Sequence, residues 1–132
     1  MSSDFPFSTA RSSLLNTETF RNLLGNALEN STKSVIVLSA YVKTVGVNWL
    51  KEKISDKKIN CTIVTRWNNG DLAQGSSDLE CYHLAKKNNW SFKVLQDLHA
   101  KVMLVDNDIL FIGSPNLTGR GMSLVPVSNE EL

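Results

Sequence analysis

Residues 99–119 read HAKVMLVDNDILFIGSPNLTG, and the fold is decided here. The runs VMLV (102–105) and ILFI (109–112) are apolar, rich in β-branched residues and too short for helices, so they predict two buried strands. Asn107 and Asp108 form a short polar break between them, which suits a hairpin of antiparallel strands. Ionisable groups sit at the edges of these core-building runs. His99 and Lys101 are two apart, so on one strand they point to the same side. Asp106 falls at that strand's end, while Gly113, Ser114 and Asn116 follow the next strand. His99, Lys101, Gly113, Ser114 and Asn116 are therefore expected to converge at one rim of a sheet, the place where open α/β sheets hold ligands.

Working outward, Phe20, Leu23, Leu24, Ala27 and Leu28 recur at helical spacing behind NTET, where Asn16 or Thr17 caps and Glu18 sits in the first turn. SVIVLSAYV reads as a short buried strand. Val47, Leu50 and Ile54 line one face of a second helix, and INCTIVTRW is another buried strand. Strand, helix and strand in this order make the parallel crossover unit. The turn-rich NNGDLAQGSSD then leads to a third helix, LECYHLAKKNN, opened by Ser77 or Asp78, and WSFKVLQ precedes the hairpin. The expected fold class is α/β, a mixed β-sheet flanked by helices. Residues 1–15 are polar and aperiodic and read as a flexible N-terminal arm; residues 16–132 read as a single domain, shortened at its C-terminus from a longer protein.

Composition sets the outer bounds. With 132 residues, 42% apolar, 20% charged and a net charge of +1, the chain has the make-up of an ordinary globular domain with one core. No apolar stretch reaches the roughly 18 residues that span a bilayer, and MSSDFPFSTARSS lacks the pattern of a secretory leader, so a cytoplasmic location without membrane contact is expected. Cys61 and Cys81 have no metal-ligand spacing and read as reduced thiols. The near-neutral charge argues against a large unspecific DNA footprint and leaves room for a local basic patch. Tyr41, Trp49, Trp67 and Trp90 read as core or edge aromatics, and His83 as a packed or surface helix residue. Arg66, at the end of a strand, reaches a phosphate or a base, or else makes a structural ion pair.

The string H-x-K-x-x-x-x-D followed by G-S-x-N resembles the signature of the phospholipase D superfamily, with His99, Lys101, Asp106, Gly113, Ser114 and Asn116 in matching positions. SNEEL is similar to that family's N-x-E segment through Asn129 and Glu131. The resemblance implies a phospholipase D-like fold and a phosphodiesterase that needs no metal or other cofactor. His99 would attack phosphorus to give a covalent phosphohistidine, Lys101 and Asn116 would hold the phosphoryl oxygens, and Glu131 (or Glu130) would orient the imidazole. Ser114, Gly113, Asp106 and Arg66 would support the site, Asp106 more as a structural residue than a reactant; binding of a hard cation by Asp106 and Asp108 is the competing reading. Members of the family use two copies of the motif and this chain holds one, so a homodimer with the motifs facing each other is implied. Short single-motif members include nucleases and the catalytic domains of restriction enzymes. The expected function is an endonuclease acting on DNA ahead of RNA, with a recognition domain in a longer native chain. A phospholipase or phosphatidyl transferase, and a nucleic-acid-binding module without turnover, are the alternatives.

Overall fold

The computed structural model describes residues 16–54, 58–67 and 79–113. In chain order the elements are α1 (Thr17–Glu29), β1 (Ser34–Ser39), α2 (Thr44–Ile54), β2 (Asn60–Thr65), α3 (Glu80–Lys87), β3 (Ser91–Val94), β4 (Lys101–Val105) and β5 (Ile109–Ile112). The strands form one five-stranded sheet in the order β3-β2-β1-β4-β5. β1, β2 and β3 run parallel, as the crossover pattern predicts, and β4 joins β1 antiparallel before turning into β5.

Alternation along the strands selects the buried face. In β1, Val35, Val37 and Ser39 are buried while the residues between them are half-exposed. The register carries this face across the sheet. Phe92, Ile63, Val37, Met103 and Phe111 form one row through all five strands, and Cys61, Val35 and Val105 form the next. Leu24 and Leu28 of α1, Val47, Leu50 and Ile54 of α2, and Cys81 and Ala85 of α3 complete the same core. Burying the Val, Leu and Ile side chains among these stabilises the fold by about 1.5–3 kcal/mol each relative to exposure. Burial also pushes the Cys61 thiol up to about 12, which leaves it protonated and inert. One expectation fails in detail: ILFI is not buried throughout. Of β5 only Phe111 is buried, because this strand has a neighbour on one edge alone among the described residues.

The helix ends follow from local chemistry. Asn16 Oδ1 accepts the Thr19 N–H at 2.8 Å, capping α1 as its type predicts. α3 ends as Asn89 enters the left-handed region at φ 62°, so that the Trp90 N–H reaches the Ala85 carbonyl at 2.9 Å. The third helix's cap at Ser77 or Asp78 lies outside the described residues, as does the arm at 1–15.

The β4–β5 turn uses Asp106 and Asn107 at φ 55° and 61°, and the Asp108 N–H closes it on the Val105 carbonyl at 3.1 Å. Two consecutive positive φ values mark a primed hairpin turn, for which Asp and Asn are suited. The Asp106 carboxylate then reaches across to the start of β1. It accepts N–H groups from Lys33 at 2.8 Å, from Thr32 at 3.0 Å and from Ser34 at 3.1 Å. Partial desolvation pushes the Asp106 carboxyl up, but the backbone donors of Lys33, Thr32 and Ser34 and the Lys33 charge outweigh it and hold the group below its ordinary range.

A depressed folded-state value means that this stabilisation is present above about pH 4, the unfolded value, and fades as pH falls through the lower folded one. Asp106→Ala removes the acceptor and places an alanine at positive φ, so it should cost about 1–2 kcal/mol at pH 7. Asp106→Asn keeps one acceptor oxygen and tolerates the backbone, so it should lie between the two. Urea midpoints at pH 7 and pH 3 check this: the gap between wild type and Asp106→Asn should narrow in acid.

Candidate active site

The core ends one row beyond Ile63, Val37 and Met103. There Thr65 pairs with Ser39, and Ser39 with Lys101. The inward face that carries apolar side chains along the whole sheet thus ends in two hydroxyls and an ammonium. Thr65 and Ser39 are buried and Lys101 is half-buried. The Gly113 N–H donates to the Lys101 carbonyl at 3.0 Å, which brings the end of β5 beside the start of β4. This is the end of the sheet at which the parallel strands finish, as expected for a ligand site.

Buried hydroxyls need partners, and these two find them in the loop after β1. Ser39 Oγ donates to the Tyr41 carbonyl at 2.8 Å, and Thr65 Oγ1 to the Ala40 carbonyl at 3.3 Å. Arg66 follows Thr65 directly and extends over this loop. Its guanidinium lies on the Tyr41 ring, 4.8 Å from Cζ to the centroid, and Nη2 donates to the Tyr41 hydroxyl. Arg66 Nη1 stands 3.5 Å from His99 Nδ1. A guanidinium only donates, and at this distance the contact stands at the long limit of a hydrogen bond.

His99 is exposed and precedes β4 instead of lying in it, which corrects the alternation argument. The reason is that β1 stops at Ser39, opposite Lys101, so residue 99 has no ladder partner among the described residues. Its placement comes from the turn before it, where the Leu98 N–H bonds the Leu95 carbonyl at 3.2 Å and Leu98 is buried. His99, Lys101, Gly113 and Arg66 nonetheless occupy one rim.

Asp106 does not: it lies at the other end of β4, tied to residues 32–34. At that end its carboxylate is taken up by the backbone of residues 32–34, away from His99 and Lys101. Ser114, Asn116, Glu130 and Glu131 lie outside the described residues. Among the described residues no group of three or more His, Cys, Asp or Glu could hold a metal ion, and no helix is long and apolar enough to cross a membrane. His83 is exposed on α3, 5.5 Å from the Tyr82 ring. Trp67 packs at 5.2 Å from the Phe92 ring and 6.5 Å from the Tyr82 ring, with its Nε1 buried and without a hydrogen-bond partner among the described residues.

Tyr41 is the residue that its type alone concealed. The signal lay in SVIVLS and NCTIVT, parallel strands that each end an apolar run on a hydroxyl. Loops following such ends line the crevice.

The sequence pattern of the family described as "Cardiolipin synthase, PLD-like domain" matches residues 24–132. The chain therefore belongs to the phospholipase D-like family. Solved structures share its fold, two of which follow. NucT from Helicobacter pylori superposes with a TM-score of 0.59 at 16% identity, over 80% of this chain and 72% of its own. TrmBL2, an archaeal chromatin protein whose structure shows a mode of DNA binding, superposes with a TM-score of 0.55 at 10% identity, over 89% of this chain. The chain spans 44% of TrmBL2. No curated protein matches it.

The two hydroxyls make a checkable claim about this rim. Ser39→Ala and Thr65→Val should each lower stability by about 0.5–1.5 kcal/mol, because a buried loop carbonyl loses its donor. Denaturant midpoints measure this, and values within error of wild type for both would show that the loop is held by other means.

Proposed function

We propose that the chain is a metal-independent phosphodiesterase that cleaves a nucleic-acid backbone, DNA ahead of RNA. The observation that carries this is the meeting of His99, Lys101 and Arg66 at the rim where the core gives way to polar residues. A phosphodiester is an anion, and its substitution needs a nucleophile, charge on the non-bridging oxygens and a proton for the leaving oxygen. His99 is exposed, as a nucleophile must be. Lys101 stands on a rigid strand, where an ammonium is held with little freedom to lose.

In the proposed sequence, an unprotonated His99 Nε2 attacks phosphorus, the P–O bond to the leaving group breaks, and that oxygen takes a proton from a second imidazole. Water, losing its proton to the same second imidazole, then hydrolyses the phosphohistidine and frees His99. Lys101 and Asn116 neutralise the equatorial oxygens, and Ser114 with the backbone around Gly113 adds donors. Glu131 orients the imidazole. One motif per chain makes the second imidazole that of a second copy, placed across a two-fold axis. The same steps on a lipid phosphodiester are the alternative suggested by the description of the matched family.

Cleavage of labelled DNA, RNA and phosphatidylglycerol in excess chelator tests the substrate class and the metal at once. DNA should be cut at an undiminished rate. Loss of activity restored by Mg²⁺, or cleavage of the lipid alone, would contradict the proposal. His99→Ala or Lys101→Ala should slow turnover by roughly a thousandfold or more while the fold survives, since covalent chemistry and charge neutralisation act there.

A site shared by two chains has its own signature. When wild type and His99→Ala exchange subunits, mixed pairs lack either nucleophile or proton donor, so activity should follow the square of the wild-type fraction. A linear dependence after complete exchange, checked with tagged chains, would place the whole site in one chain.

A further inference from the structure

Tyr41 takes no part in the chemistry proposed above, yet it is anchored more firmly than a surface aromatic requires. Its backbone is tied through Ser39, 2% exposed, and the adjoining Ala40 through Thr65, 0% exposed, so both hydroxyls at the ends of β1 and β2 serve one short loop. Its side chain then grips Arg66 in two independent ways, by the ring face and by the hydroxyl. A ring alone would let the guanidinium slide, and a hydroxyl alone would let it tilt. Together they restrict an arginine that otherwise has many rotamers, so less freedom is lost when it meets a ligand.

The grip directs Arg66 toward His99. Their contact, 3.5 Å between Nη1 and Nδ1, is at the long limit of a hydrogen bond and sets a cation beside an imidazole, a weak partner for it. An anionic oxygen arriving at His99 would make a charge-assisted bond to the same guanidinium, about twice as strong. The guanidinium fork also suits two phosphate oxygens at once, which the ammonium of Lys101 does not.

We propose that Tyr41 and Arg66 form an anion subsite beside His99. Arg66 takes a backbone phosphate of the nucleic acid, and Tyr41 is the positioning residue that holds the guanidinium for it. The nucleic-acid part rests on the function proposed above; the phosphate subsite rests on the geometry alone.

The test is titration of the full chain with inorganic phosphate, followed by NMR on the Arg66 Nε–H and the His99 ring. Saturable shifts at both residues are expected. Arg66→Gln should weaken phosphate binding roughly tenfold or more, and Arg66→Lys, which keeps charge without the fork, should recover part of the loss. Tyr41→Phe keeps the ring and should weaken binding several-fold, while Tyr41→Leu should approach Arg66→Gln. In DNA cleavage, Tyr41→Phe should raise KM more than it lowers kcat, a split that a loop serving only stability would not produce. Phosphate affinity unchanged in both Tyr41→Phe and Arg66→Gln, or shifts confined to other residues, would overturn the subsite. A chain that binds phosphate through Arg66 but cuts no DNA would overturn the nuclease reading and leave the subsite standing.

Discussion

The pairing of Ser39 with Lys101 is the constraint on which the rest of the molecule depends. It fixes the register between the parallel half of the sheet and the antiparallel hairpin. Strand side chains alternate, so a slip of one residue would turn Met103 and Val105 out of the core and Lys101 with them. The correct register is held by burial: Val35, Val37, Met103 and Val105 can all reach the helices only in this alignment. Hydrophobic packing in the middle of the sheet thus determines which face of the rim receives the ammonium. The polar rim at the edge takes its geometry from the apolar core beside it.

The opposite end of β4 explains the spacing of the motif. Lys101 opens the strand, and Asp106 follows its last residue. At 3.2–3.4 Å per residue the two stand about 16 Å apart, too far to share a phosphate. What joins them is the strand itself. Asp106 clamps the start of β1 through three backbone donors while Lys101 meets the end of β1 at Ser39. A motif that reads as one constellation in the sequence therefore divides between two places, one anchoring β1 and the other at the candidate site at its far end.

Much of this was legible in the chain itself because it rests on periodicity. The helical spacing of Leu24 and Leu28, the crossover from β1 to β2, and the hairpin at Asp106 to Asp108 follow from local pattern and turn chemistry. Two features were not legible, for a shared reason. That His99 precedes β4 depends on where its neighbour β1 stops, and that Tyr41 serves Arg66 depends on two loops meeting; both are set by strands distant in sequence. The exposure of Leu110 and Ile112 belongs with them, since an apolar run does not announce whether both of its faces will be covered.

We propose His99 as the nucleophile of a two-step phosphoryl transfer, beside a rim whose cationic side chains receive the anion. The most direct measurement is rapid quenching during turnover of a DNA substrate into alkali, where phosphohistidine survives, followed by mass spectrometry of the peptide holding residue 99. The expected result is a nucleotidyl adduct on His99 that is lost in acid, appears no later than product and is absent from Lys101→Ala. Turnover at the full rate with no adduct on His99, or with the adduct on His83, would contradict it.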